Sequence, residues 1–155
     1  MARVIKPPAP LALAADECSV FLAGSIEMGR AEPWQAAVEH QLADLPIVLF
    51  NPRREEWDAS WVQSIANPQF REQVEWELEA QERAALIAMY FAPTTQAPIT
   101  LLELGLFVRS GKLVVCCPPG FWRRGNVEVV CDRYGVPLVD ELTELVRLVR
   151  ERIPG

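Results

Sequence analysis

Short apolar runs recur along the chain, and each precedes a segment of helical length. The apolar runs cover residues 19–23, 47–50, 85–91, 113–117 and 137–139. The helix-length segments cover residues 33–45, 68–83, 98–110, 126–134 and 141–153. Runs that are apolar on both faces and alternate with helices indicate a parallel sheet that is covered on each side. We therefore predict an α/β fold, a three-layer αβα sandwich with a five-stranded parallel sheet of flavodoxin or Rossmann type.

The N-terminal segment differs from the rest of the chain. Two basic residues followed by apolar residues faintly resemble a secretory signal, but prolines interrupt the stretch and the remaining apolar run is too short for a signal or a membrane span. We expect residues 1–17 to form an extended N-terminal tail and residues 18–155 to form a single domain.

Net charge and cysteine usage restrict the function classes. A formal net charge of −6 argues against binding to nucleic-acid polymers, which requires a cationic surface. The four cysteines are Cys18, Cys116, Cys117 and Cys131. They contain no C-x-x-C pair and His40 is the only histidine, so a structural zinc site lacks ligands. Cys116 and Cys117 should point to opposite faces of one strand. Buried free thiols fit a reducing compartment, so we expect a cytoplasmic protein without membrane partners.

Small residues follow the first predicted strand, in Gly24-Ser25-Ile26. Gly24 would let a backbone approach a ligand, or would simply permit a tight turn. Ser25 and nearby N–H groups could hold a phosphate or a sugar hydroxyl. The chain has no G-x-G-x-x-G motif and no P-loop lysine, so a standard dinucleotide or triphosphate site is disfavoured.

Arginines and tryptophans follow the second predicted strand. The candidate substrate contacts in this long segment are Asn51, Arg53, Arg54 and Trp57, with Asp58 and Trp61 beside them. Such residues could grip a planar base by stacking and cation–π contact, while Asp58 hydrogen-bonds the edge of the base. The alternative is a charged surface loop whose tryptophans pack on the domain.

A single carboxylate, Glu103, lies in an otherwise apolar helical segment, residues 99–107. An unpaired buried carboxylate is costly unless a partner or a site uses it. Glu103 follows the third predicted strand and would point toward the ligand crevice of the sheet. The alternative is a structural role in which Glu103 pairs with an arginine or caps a neighbouring backbone. Further along, Gly125 and Asn126 precede another helix, where Asn126 could be the N-cap, could reach a sugar hydroxyl, or both.

The chain carries, in this order, the motifs Gly24-Ser25-Ile26, Asn51-Pro52-Arg53-Arg54, Trp76-Glu77, Glu103-Leu104-Gly105 and Gly125-Asn126-Val127. Taken together, they resemble the nucleoside 2-deoxyribosyltransferase family over residues 19–139. The chain looks closest to a branch with Asn-Pro-Arg-Arg and Gly-Asn-Val signatures.

This resemblance implies a flavodoxin-like fold and a double displacement. Glu103 would attack the anomeric carbon, release the base and hold a glycosyl ester until an acceptor base arrives. Glu77 stands 26 residues before Glu103, the interval at which relatives carry an acidic residue that orients substrate and nucleophile. Asp58 is the candidate for protonating or hydrogen-bonding the departing base. No metal or organic cofactor is expected, because carboxylates suffice for this chemistry.

The resemblance also implies partners and leaves alternatives open. The expected ligands are a nucleoside or nucleotide and a free nucleobase, and relatives form homo-oligomers in which an asparagine equivalent to Asn126 reaches the neighbouring site. The chain departs from the family at Ala97, where transferases carry a base-contacting aspartate, and in lacking an aromatic residue near its C-terminus. The alternatives are an N-glycosidase acting on nucleosides or their 5′-monophosphates, a non-catalytic nucleotide-binding sensor, and, least favoured, a flavodoxin-like electron carrier.

Overall fold

Strands and helices alternate along the chain. The computed structural model describes residues 1–25, 33–54 and 60–154. Its elements are β1 (Arg3–Ile5), β2 (Cys18–Gly24), α1 (Trp34–Gln41), β3 (Ile47–Phe50), α2 (Pro68–Arg83), β4 (Leu86–Tyr90), α3 (Pro98–Phe107), β5 (Leu113–Cys116), α4 (Arg124–Tyr134), β6 (Leu138–Val139) and α5 (Leu142–Arg152). Proline takes the first helical position in α2 and α3. A backbone N–H at this position has no acceptor within the helix, so proline costs no hydrogen bond there.

One parallel sheet organises the described chain. Its strand order is β1-β3-β2-β4-β5-β6, and every neighbouring pair is parallel. From β2 onward this is the 2-1-3-4-5 order of flavodoxin-like folds, with the topological switch point between β2 and β4. The predicted α/β fold with a parallel sheet is confirmed.

The sheet has six strands rather than the five predicted. The additional strand is β1, which pairs with β3 so that Val4 lies opposite Leu49. It comes from the segment that the sequence assigns to a tail. The residues after β1 also contact the domain, because Trp76 Nε1 donates to the carbonyl oxygen of Ala9 at 2.8 Å and Leu11 is buried. A three-residue edge strand followed by prolines has no apolar run from which it could be predicted.

Helices cover both faces of the sheet. Residues of α2, α3 and α4, such as Trp76, Leu104 and Cys131, share one core cluster. Residues of α1 and α5 belong to the core cluster on the other face. Cys116 and Cys117 fall in different clusters, which confirms that these adjacent thiols point to opposite faces. The four cysteines are free thiols, and no helix in the described ranges is long and apolar enough to cross a membrane.

Lys112 closes the C-terminal end of α2. Its Nζ donates to the carbonyl oxygens of Gln81 at 2.6 Å, Glu82 at 2.8 Å and Ala84 at 3.0 Å. The last carbonyl groups of a helix lack intrahelical partners, and a cation at this end also interacts favourably with the helix dipole. Lys112 therefore attaches the end of α2 to the start of β5.

We predict that Lys112→Met lowers the free energy of unfolding by about 1–2 kcal/mol, because several helix-terminal carbonyls lose a charged donor. Urea denaturation followed by circular dichroism measures this change. The control is Arg147→Met, which removes an exposed i,i+4 ion pair with Glu151 and should change stability by less than about 0.5 kcal/mol. Equal effects of the two substitutions would contradict the role given to Lys112.

Candidate active site

The carboxyl ends of β2, β3 and β4 lie at the same end of the sheet. Because these neighbouring strands are parallel, the segments that follow them leave the sheet on the same side. The segment after β3 leads into α2, which carries Glu77, and the segment after β4 leads into α3, which carries Glu103.

The structure brings Glu77 and Glu103 together over the sheet. Glu103 is only 6% exposed, and its Oε2 accepts a hydrogen bond from Gln81 Nε2 at 2.6 Å. The Oε2 of Glu77 accepts one from Gln73 Nε2 at 3.1 Å. The described partner of Glu103 is thus a glutamine, not an arginine. Neither glutamine was predicted as a site residue from the sequence. Their i,i+4 spacing from Glu77 on a predicted helix would have indicated that they lie near it.

Burial makes both carboxyl groups weaker acids than usual, and the charge of Glu103 adds to this effect at Glu77. Burial, together with the charge of Glu103, raises the pKa of Glu77 to about 8, and the hydrogen bond from Gln73 opposes the rise. Burial raises the pKa of Glu103 to about 7, and the hydrogen bond from Gln81 opposes that rise. Near neutral pH the pair therefore retains a proton.

Asn51 shapes the turn after β3. Its Nδ2 donates to Glu39 Oε1, its Oδ1 accepts from the backbone N–H of Arg53 at 2.9 Å, and its own N–H donates to the carbonyl of Ile5 at 3.0 Å. Both ends of this buried side chain thus bind protein groups, which fixes the path of the loop. Contact of Asn51 with substrate stays a prediction.

The two arginines after Asn51 have different surroundings. Arg54 Nη1 pairs with Glu72 at 2.9 Å, and its guanidinium lies 5.1 Å from the ring centroid of Trp61. Arg54 thus makes a cation–π contact with a tryptophan of the protein, and its contact with a substrate base stays a prediction. Arg53 Nε lies 3.4 Å from Gln35 Oε1, and its side chain is partly exposed. Both arginines are partly exposed, and contact of Arg53 with substrate stays a prediction.

Three predicted substrate contacts or catalytic residues lie outside the described residues, namely Ile26, Trp57 and Asp58.

Gly24 is required by packing at the end of β2. A Cβ at this position would lie 2.3 Å from Cζ2 of Trp34 and 2.8 Å from the carbonyl oxygen of Tyr90. The rings of Trp34 and Tyr90 are themselves in contact, with centroids 5.2 Å apart. The space that glycine leaves open is thus filled by an indole. Ser25, the next residue, is 6% exposed and stays a predicted substrate contact.

Helix α4 begins earlier than predicted. Its first residue is Arg124 and its N-cap is Arg123, so Asn126 lies inside the first turn. The interpretation of Asn126 as N-cap is therefore wrong, because the helix starts two residues before it. Gly125 and Asn126 are exposed, whereas Arg124 binds Asp140 at 2.7 Å and the carbonyl of Cys117.

The part of the chain that carries Glu77 and Glu103 matches a known protein family. The sequence model described as nucleoside 2-deoxyribosyltransferase like matches residues 17–121, more than half of the chain. The chain belongs to the nucleoside 2-deoxyribosyltransferase-like family. The matched region contains Glu77 and Glu103 but ends before Gly125 and Asn126. A comparison with curated proteins finds no match.

Family membership points to nucleoside-type substrates. Within the described residues, no group of three histidine, cysteine, aspartate or glutamate side chains is placed to hold a metal ion.

We predict that Glu77→Gln stabilises the protein in a pH-dependent manner. The pKa of Glu77 rises from 4.5 to about 8 on folding, so its contribution to stability is present at low pH and is lost as the pH rises through about 8. The variant should therefore gain about 1–3 kcal/mol over wild type at pH 9 and little at pH 5. Urea denaturation at both pH values measures this difference.

The matched control is Glu75→Gln on the same helix, where the side chain is exposed and pairs with Arg71. It should show no gain at pH 9. A Glu77→Gln variant that is no more stable than wild type at pH 9 would contradict the burial of an ionisable pair.

Proposed function

We propose that this protein is a nucleoside 2-deoxyribosyltransferase, which exchanges nucleobases on 2-deoxyribose through a covalent glycosyl ester on Glu103. The observation that carries the proposal is the state of Glu103. It is nearly buried on the helix after β4, with Oε2 held by Gln81, while its Oε1 has no hydrogen-bond partner among the residues that the structure describes. One oxygen is thus fixed and the other is available for attack.

The proposed reaction has two displacements at the anomeric carbon, C1′. In the first, Oε1 of Glu103 bonds to C1′ as the C1′–N bond breaks, and the electron pair leaves with the base, which takes a proton from Asp58. In the second, a nitrogen of the incoming base bonds to C1′, its proton returns to Asp58, and Glu103 leaves as a carboxylate. Two inversions give net retention at C1′.

The two carboxyl groups take different roles in this scheme. Glu103 must be ionised to attack, whereas Glu77 has the higher pKa and keeps the proton of the pair. A neutral Glu77 avoids a second negative charge beside the nucleophile. Glu77 is also held by Gln73, whose Nε2 donates to the carbonyl of Pro52 at 3.0 Å. Glu77 is thereby linked to the loop that carries the predicted substrate contacts.

A second candidate function is hydrolysis, in which water replaces the acceptor base at the same intermediate. A monophosphate substrate requires a cation for its phosphate. Arg53 and Arg123 are the candidates, because Arg53 is partly exposed and Arg123 is exposed and stacks on Trp122 with 4.4 Å between guanidinium carbon and ring centroid.

We also propose that the active form is a homo-oligomer that buries one face of α3. Ile99, Leu102 and Leu106 are 59%, 60% and 56% exposed and follow an i, i+3, i+7 spacing, so they form one apolar stripe. Glu103 lies on the same helix. Burial of the stripe against a second copy would let the exposed Asn126 reach a neighbouring site, as the family resemblance implies.

We predict that Glu103→Ala abolishes base exchange. Purified protein is incubated with 2′-deoxyinosine or thymidine, with and without adenine, and bases and nucleosides are separated by chromatography. Wild type should form 2′-deoxyadenosine, and the variant should lose at least about 10³-fold in rate because the nucleophile is gone. Glu75→Gln, an exposed acid on α2, should retain wild-type exchange.

Free base without exchange would favour the hydrolase, and a marked preference for 5′-monophosphates would identify its substrate. If wild type and Glu103→Ala are equally inert toward nucleosides and monophosphates, the catalytic proposal fails and a nucleotide-binding function replaces it.

We predict that Leu102→Glu with Leu106→Glu dissociates the oligomer, because two buried charges would replace apolar contacts. Size-exclusion chromatography with light scattering should show a shift to monomer. Val62→Glu adds a charge at a residue that is also exposed, at 65%, but lies outside α3, and it should leave the mass unchanged. A monomeric wild type would refute the proposed assembly.

A further inference from the structure

We propose that Gln81 is the positioning residue of the candidate active site: its side-chain amide holds Oε2 of Glu103 and thereby directs Oε1 toward the anomeric carbon. The proposal rests on the function proposed above, in which Glu103 is the nucleophile.

The amide of Gln81 has one chemically acceptable orientation. Its Nε2 donates both to Glu103 Oε2 at 2.6 Å and to the backbone carbonyl of Glu77 at 3.1 Å. Both partners are oxygen acceptors when Glu103 is ionised, so the reversed amide would place Oε1 against two oxygens. The contact with Glu103 is short, as expected for a hydrogen bond to a charged acceptor. Gln81 therefore favours the ionised carboxylate in a single orientation.

Gln81 has no exposed surface, and its Oε1 lacks a hydrogen-bond partner within the described part of the chain. A buried acceptor without a partner costs free energy and requires an explanation. Of the two described hydrogen bonds of Gln81, one stays within α2 and the other connects α2 to Glu103 on α3. The connection to Glu103 explains why a glutamine occupies this buried position.

A similar contact occurs about two turns earlier on α2, where Gln73 holds Glu77. Gln73, Glu77 and Gln81 are spaced i, i+4, i+8 and so lie along one face of the helix. Gln73 Nε2 donates to Glu77 Oε2 and to the carbonyl of Pro52, and its Oε1 is also buried without a described partner. One helix thus holds both carboxyl groups through amide donors.

The backbone of Gln81 is itself restrained. It lies two residues before the end of α2, where a helix would ordinarily fray. Lys112 Nζ donates to its carbonyl oxygen at 2.6 Å and so connects this turn to β5. A side chain on a fixed backbone can orient a carboxylate more narrowly than one on a free helix end.

The test is Gln81→Met, which keeps the side-chain length and removes both donors. The kcat for base exchange should fall about 10–100-fold while KM changes less than about twofold, because a misdirected nucleophile affects the transition state more than substrate binding. The ascending limb of the pH profile of kcat/KM should move upward by about one pH unit, since loss of the donor disfavours the ionised carboxylate.

The control for lost stability is Val149→Ala, a buried core substitution on α5 at the opposite face of the sheet. It should leave the ascending limb of the pH profile in place. A Gln81→Met variant whose kcat and pH profile both match those of Val149→Ala would overturn the positioning role.

A ligand-free measurement separates this proposal from the proposed function. The carboxyl carbon of Glu103 is titrated by ¹³C NMR in wild type and in Gln81→Met, with Glu103→Gln used to assign the signal. An upward shift of the Glu103 titration in Gln81→Met supports the contact, and an unchanged titration overturns it. If wild type shows no turnover, the proposed function fails, and with it the catalytic role of Gln81. The titration then still decides whether Gln81 holds Glu103.

Discussion

The carboxyl group of Glu103 is buried within reach of the charge of the half-buried Glu77, and the rest of the site is arranged around this constraint. Two ionised carboxylates in such surroundings would repel each other and lose hydration without full compensation. In the described structure, the amides of Gln73 and Gln81 donate hydrogen bonds to the two carboxyl groups, and the raised pKa of Glu77 favours a retained proton. Neither carboxyl group has an arginine or lysine partner among the described residues. The proposed attack on an anomeric carbon requires a charged carboxylate. A paired cation would neutralise this charge, whereas a neutral amide orients the carboxylate and leaves its charge in place.

Strand order explains why these groups meet. The chain leaves β3 for α2 and leaves β4 for α3, and both helices pack on the same face of the sheet. Because β3 and β4 lie on either side of β2, the two helices approach each other across the switch point, where ligands of such sheets bind. The loop that begins at Asn51 joins the same region, since Gln73 holds the carbonyl of Pro52. Topology thus assembles residues that are far apart in sequence.

Periodicity predicts the sheet well, because strands buried on both faces must be apolar throughout, as β3, β4 and β5 are. Glu103 could also be recognised from the sequence, because it is the single carboxylate in an apolar helical segment. The short strand β1 was not predictable, because three residues carry no pattern. Gln73 and Gln81 were missed because α2 is rich in charged residues, and polar residues on such a helix ordinarily face solvent. Only the path of the chain shows that this face of α2 meets Glu103.

The roles proposed for Glu103 and Glu77 agree with the local surroundings of the two side chains. Glu103 is buried and Glu77 is half-buried; Gln81 Nε2 lies 2.6 Å from Glu103 Oε2, and Gln73 Nε2 lies 3.1 Å from Glu77 Oε2. The hydrogen bond from Gln81 favours ionisation of Glu103, and the charge of Glu103 opposes ionisation of Glu77. The two effects reinforce each other, because each step toward an ionised Glu103 makes a neutral Glu77 more stable. In the proposed reaction, two similar acids take different roles, and a hydrogen-bond donor on α2 orients the one that attacks.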